Sequence, residues 1–167
     1  MKTPGRKPRA RSQAGQSIAE VALLTPILLA MLLGAVEFGR YAYIGILVGS
    51  AARAGAAYAT EHLANAGNTA AIQQAADNDY QNNGQNQALL TVTSTDTCGC
   101  DNGSYPIVTQ SCFPGTGGAP PTCSPGSHWV VVVSVTASGT YSSLFTYPWI
   151  PNSITLTRTS TMRAPLN

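Results

Sequence analysis

The sequence predicts an α+β protein: a long N-terminal transmembrane helix followed by a small antiparallel β domain with a disulfide-linked loop. Three observations carry this. The block from Val21 to Val36, "VALLTPILLAMLLGAV", holds no charge. The C-terminal part holds β-branched runs and segments that alternate apolar with hydroxyl residues, the period of a half-buried strand. All four cysteines, Cys98, Cys100, Cys112 and Cys123, fall late, around a stretch rich in proline and glycine.

Composition and charge narrow the class. Only 10% of residues are charged, against about 25% in ordinary soluble domains. The low charge points to an envelope or extracellular protein. Lys2, Arg6, Lys7, Arg9 and Arg11 precede the first acid, Glu20. Beyond them Arg40, Arg53, Arg158 and Arg163 face seven acids, so the remainder is mildly acidic. A basic tail followed at once by an apolar helix holds the N-terminus in the cytoplasm by the positive-inside rule. It needs no nucleic-acid partner.

The elements follow in chain order. Residues 1–15 form the basic leader, broken by Pro4, Gly5 and Pro8. The uncharged block is short of the ~20 residues that span hydrocarbon. Ile18, Ala19, Phe38 and Gly39 make up the length with Glu20 and Glu37 at the edges. In lipid the backbone must bond internally, which dictates a helix; Pro26 removes one donor and bends it. The Ala-rich stretch from Arg40 to Gly67 continues it without proline. Each glycine there costs about 1 kcal/mol and needs a reason. Ala35 with Gly39, Gly45 with Gly49, and Ala52 with Ala56 are small pairs one turn apart, a pattern that lets helices approach closely. Residues 16–66 are thus read as one transmembrane and extended helix. From Ile18 to Ala66 it would be about 70 Å long, so its distal half stands outside the bilayer and needs a covering partner.

Residues 67–87 read as a polar helix and linker, with a short helix around Thr69 to Ala76 and "QNNGQNQ" as linker. Asp77 and Asp79 cap or solvate the helix end. Residues 88–167 read as a small extracytoplasmic β domain. "ALLTVTST", "HWVVVVSVTA" and "SITLTRTSTMRA" are its strands, with "SYPIVTQS" a weaker one. Trp129 and Trp149 pack the sheet with Tyr141 and Phe145. So thin a core needs disulfides and the preceding helix. A disulfide between Cys98 and Cys100 would close across one glycine with strain. Each therefore pairs with Cys112 or Cys123, in either combination. Zinc, with His128 nearby, is the weaker alternative, because paired C-x-x-C knuckles are missing. His62 and His128 are far apart in sequence, and no Gly-rich phosphate loop, HExxH, paired-carboxylate motif or nucleophile elbow stands out. The sequence is read as non-enzymatic, with no cofactor.

The constellation at the front carries the function. Gly15, four residues, Glu20 and an apolar helix follow the basic leader. A secretory signal is cut after its apolar core, at a small-residue site, and "EFGRYAYIG" offers no such site. Cleavage between Gly15 and Gln16 would instead leave the helix in the mature protein with Glu20 as its fifth residue. This resembles the prepilin pattern of the type IV pilin superfamily. The longer string of Gly15 with Glu20, Pro26, Glu37 to Arg40 ("EFGR") and Ala51 to Ala56 ("AARAGA") resembles TadE-like pilus assembly proteins, minor pseudopilins of the tight-adherence system. Val21 departs from the aromatic that this branch carries after the glutamate. The resemblance implies a prepilin peptidase as processing partner, other pilins and the assembly platform as binding partners, and an inner-membrane location with the N-terminus cytoplasmic. It also implies a role for Glu20 in assembly. A buried carboxylate is costly unless paired, and a neighbour's new Gln16 ammonium can pair it. Two rivals remain: an unprocessed bitopic protein whose β domain is a binding module, and a secreted protein whose apolar segment is an export signal.

Overall fold

A computed structural model describes residues 14–103, 109–111, 123–146 and 151–164 of the chain. The leader up to Gln13, Cys112 and Trp149 lie outside these residues, as does most of "SYPIVTQS". The chain divides into two compact units between Gly39 and Arg40. Helix α1, Ala14–Glu61, contributes to both.

In the first unit α1 is apolar on every face and exposed on every face. Leu23, Leu28, Met31 and Phe38 are 72%, 63%, 69% and 72% exposed. A helix apolar all round has no solvated side and belongs in a buried or lipid setting. Its polar interruptions are satisfied locally. The Thr25 hydroxyl donates to the Val21 carbonyl at 2.7 Å, one residue before Pro26, whose ring nitrogen has no hydrogen to give.

The second unit packs helices on one face of a sheet. Here α1 acquires a buried stripe of Leu47, Val48, Ala51, Ala52, Ala56 and Ala59, the one-sided pattern of a helix on a core. It stops at Glu61, where His62 turns extended (φ −142°, ψ 145°). The expected helix to Ala66 is therefore broken, and Leu63–Ala66 forms a separate short turn, α2. The Asn65 side chain donates to the Tyr58 carbonyl at 3.2 Å, satisfying one of the carbonyls that the end of α1 leaves open. Helix α3, Thr69–Asn82, is longer than the polar composition predicts. The Asn68 side chain caps it by accepting from Ala71 N–H, and Gly84, at φ +79°, follows its end. Ile72, Ala76 and Tyr80 form its buried face. Asp77 and Asp79 lie inside α3, half-buried, and do not cap it.

The sheet has the order β2-β1-β3-β4 and is antiparallel throughout. Its members are β1 (Leu90–Asp101), the three-residue β2 (Thr109–Ser111), β3 (His128–Ser142) and β4 (Ser153–Ala164). The three long strands are those the alternation predicts. Their inner face carries Val92, Val131, Val133, Val135, Ala137 and Leu156. Burying a valine or leucine of this kind contributes about 1.5–3 kcal/mol. The outer face is a hydroxyl lattice. Thr91, Ser138 and Thr157 form one row across three strands, Thr93, Thr136 and Thr159 the next, and Thr95, Ser134 and Thr161 a third. The β3–β4 partners hydrogen-bond hydroxyl to hydroxyl at 2.9–3.1 Å. Of the aromatics expected on the sheet, Tyr141 is buried and Trp129 half-buried, but Phe145 is 46% exposed. It sits beyond the end of β3.

Two glycines set how near the helices come. A Cβ on Gly139 of β3 would stand 2.5 Å from Val48 Cγ2. A Cβ on Gly55 of α1 would stand 3.2 Å from the Ile72 carbonyl oxygen and 3.2 Å from Val135 Cγ1. Gly139→Ala should therefore cost about 1–3 kcal/mol, the range for overpacking. Shortening the opposing side chain should recover part of it. The loss in Gly139→Ala/Val48→Ala should be smaller than the sum of the two single losses, by the coupling expected of touching residues. Denaturant midpoints of the detergent-solubilised chain measure this, and strictly additive losses would contradict the contact.

Candidate functional site

The residues marked by the sequence lie along α1. Gly15 and Gln16 are in its first turn. Glu20 follows, exposed, at the mouth of the apolar run. Gln16 and Glu20 are four residues apart and so share a helix face.

The six small residues divide into two groups. Ala35 and Gly39 are exposed, and a Cβ on Gly39 would meet nothing within 4 Å. Gly45 and Gly49 instead lie beneath β4 of their own chain. The positions a Cβ would take are 3.7 Å from Arg158 Nη2 and 3.8 Å from Arg158 Cγ. Arg158 shares the inward alternation of Leu156, and its aliphatic stem covers the groove that two glycines leave in the helix. Its guanidinium donates to the Thr157 carbonyl at 3.1 Å. Ala52 and Ala56 are buried in the core. The small-residue face thus seats α1 on its own sheet over residues 45–56 and stays open only at Ala35 and Gly39. Gly55 and Gly139 were not singled out in the sequence. A glycine inside a β-branched strand was the available signal for the second of these.

The cysteine segment is fastened at the far end of β1. Cys100 is bonded to Cys123, one of the two pairings left open above, and Cys98 is disulfide-bonded too. With their sulfurs joined to sulfur, these residues offer no thiolate to a metal, which removes the zinc alternative. Asp101, next to Cys100, is buried. Its Oδ1 accepts the Gly103 N–H at 2.8 Å, Gly103 taking φ +82°. Its Oδ2 accepts from Arg163 of β4, which reaches across β3 to do so. The Gly103 hydrogen bond, aided by the Arg163 charge, holds the Asp101 carboxyl below its ordinary range. In α3, burial pushes the Asp77 carboxyl up.

Between α1 and α3 of the second unit lies a shallow open depression lined by Tyr58, Ala71, Gln74, Ala75 and Asn78. It presents amide and phenol groups and no convergent acid, base or nucleophile.

Among the described residues one helix, from Ile18 to Glu61, is long and apolar enough to cross a membrane, and it leads into a small α+β unit. Residues 15–57 match the family model of the TadE-like proteins. The match takes in Gly15, Glu20, Pro26, the Glu37–Arg40 string and the Ala51–Ala56 string, and it stops before α3 and the sheet. No curated protein and no solved structure matches the chain.

The Asp101 geometry has a pH consequence. A carboxyl lowered by folding stabilises the native state fully above its unfolded value, near 3.8. That stability is lost as pH falls through the lowered folded value. Acid unfolding of the second unit should therefore steepen below about pH 4. Asp101→Asn should be less stable than the parent at neutral pH, and the difference should shrink toward pH 2–3. Tryptophan fluorescence across a pH series measures it; a constant difference would refute the linkage.

Proposed function

We propose that the chain is a minor pilin or pilus-assembly protein of a tight-adherence type IV pilus. Residues 1–15 are a leader that a prepilin peptidase removes after Gly15. The mature protein is held in the inner membrane by a single span, N-terminus inward, with its α+β unit outside the cytoplasm. It works by protein–protein contact with other pilins or the assembly platform. The observation that carries this reading is the coincidence of the TadE-like match with a helix exposed and apolar on all sides and led by Glu20. Such a surface is stable in lipid and, on leaving lipid, only against other apolar helices.

The chemistry of assembly follows. Loss of the leader removes five bases, each worth about 1 kcal/mol of attraction to an anionic leaflet. It also exposes an ammonium at Gln16. When helices gather, Glu20 of one chain meets that ammonium of a neighbour, so neither charge is buried alone. Ala35 and Gly39, where the helix carries no side-chain bulk, are the positions at which two such helices come closest. Gly45, Gly49, Ala52 and Ala56 serve the chain's own sheet.

Intact-mass measurement of the membrane-extracted protein tests the cleavage: a chain starting at Gln16 is expected. A chain starting at Met1 would favour the anchored binding module, and one starting beyond Ala59 a secreted protein. Gly15→Leu should accumulate full-length precursor. Glu20→Ala should be cut as usual yet assemble poorly, because an ammonium buried without its partner costs about 3–5 kcal/mol. Normal piliation in Glu20→Ala would refute the pairing.

A further inference from the structure

The sheet of the second unit has two open edges. β4 pairs only with β3. β2 covers β1 at Thr97–Gly99, and from Leu90 to Asp96 no described strand lies on that side. An open edge is a template for pairing with another chain, and folds commonly blunt it with proline, a bulge or a short strand. Here β1 and β4 are each 12 residues long and contain no proline, and both keep an unbroken register with β3. Each does carry one charged residue at an inward position of the alternation, Asp96 in β1 and Arg158 in β4.

Neither charge is answered within the chain. Asp96 is half-buried and Arg158 exposed, and among the described residues neither takes part in an ion pair. Asp96 lies in the row of Val133 and Met162, Arg158 in the row of Val92 and Ala137. With β3 between them and four residues of offset they stand about 16 Å apart, from ~4.8 Å per strand and ~3.3 Å per residue. An inward charge on an edge opposes pairing of that edge with its own kind, because like charges across or diagonal to one another are destabilising. The two edges are opposite in sign. Both strands run antiparallel to β3 and so point the same way. When β4 of one copy is laid parallel to β1 of another with Arg158 level with Asp96, Ile154 falls beside Val92 and Leu156 beside Ser94. On the outer face Ser153, Thr155 and Thr157 fall beside Thr91, Thr93 and Thr95. Ile154, 38% exposed in its own chain, gains an apolar neighbour, and the hydroxyl rows continue from one copy to the next.

We propose that β4 of one copy adds in parallel to the open edge of β1 in a second copy, with Arg158 of the first meeting Asp96 of the second. The partner is this same chain. The contact is heterologous: each copy gives β4 and receives at β1, so it extends a row of copies instead of closing a pair. Parallel pairing is slightly less stable per residue than antiparallel, and the charge pair fixes register and partner more than strength. The inference rests on the reading of the chain as acting by protein–protein contact, and it names a second copy as one such partner. It does not depend on leader cleavage.

The test uses the full chain in the membrane of an expressing cell. Two differently tagged copies, one with Thr93→Cys and one with Thr155→Cys, are treated with a short bismaleimide and should cross-link to each other. Asp96→Arg in both copies, or Arg158→Asp in both, should lower the yield about ten-fold or more, because like charges across an interface are strongly disfavoured. The two reversals together, in both copies, should restore it. If tryptophan fluorescence shows that Arg158→Asp does not fold, loss with Asp96→Arg and retention with Asp96→Glu decide the question. No cross-link between 93 and 155, a yield indifferent to either reversal, or no recovery in a folded double reversal overturns the pairing. Self-cross-linking of Thr159→Cys at the yield of the 93–155 pair also overturns it, since that marks antiparallel pairing of β4 with its own copy. The mass of the N-terminus decides the pilin reading separately, so a chain cut at Gln16 that gives no cross-link refutes the edge contact alone.

Discussion

The second unit depends on how closely α1 can lie on β3. Val48 rests where any side chain on residue 139 would stand, and Ala51, Ala52, Gly55, Ala56 and Ala59 keep the helix surface nearly flat over the next three turns. Small residues stabilise little by their own burial. What they do is bring the helix backbone close enough for Val133 and Val135 to be sealed from both sides, and close-packed interiors tolerate no gap at that contact. The same approach admits α3, whose Ile72 carbonyl reaches Gly55. Three layers of contact therefore converge on Gly55 and Gly139. The glycine propensity cost in a helix, about 1 kcal/mol, is offset by packing that no larger residue would permit.

That arrangement accounts for how much of the fold was legible beforehand. The long strands were readable because one face is valine and the other hydroxyl, and a period of two cannot be confused with a helix over twelve residues. The apolar helix was readable because sixteen uncharged residues leave the backbone no alternative in lipid. The end of α1 was not readable. "TEHLAN" contains neither glycine nor proline, so propensity gives no signal for the break at His62. Helix α3 was underestimated because its buried face is only Ile72, Ala76 and Tyr80; the four-residue spacing was present, but within asparagine and glutamine it carried little weight.

The candidate site was legible in part, and the ambiguity has a physical origin. Small residues at four-residue spacing say that something comes close to the helix, without saying what. At Gly45 and Gly49 the visitor is the stem of Arg158 from the same chain; at Ala35 and Gly39 that surface stays open. Arg158 could have signalled this. It stands at an inward position between Leu156 and Ser160, and an arginine there needs a groove along which to lay its methylenes. Glu20 was legible for a different reason. A carboxylate at the entrance of an apolar run stands out in any sequence, and the structure leaves Glu20 exposed there.

The helix must satisfy two solvents along one cylinder. Before Gly39 it carries exposed apolar side chains on all faces, a surface suited to lipid or to neighbouring helices. From Arg40 it needs a single apolar stripe with a polar back, because one side meets its own sheet and the other meets water. Arg53 and Glu61 mark that polar back and are exposed, while Ala51, Ala52, Ala56 and Ala59 mark the stripe. Glu37 and Arg40 sit where one pattern gives way to the other, and the family match runs continuously across the change. A lipid-facing helix and a sheet-facing helix could be separate elements joined by a loop. In this chain they are one continuous helix, Ala14–Glu61, and the change from one pattern to the other falls at Gly39 and Arg40.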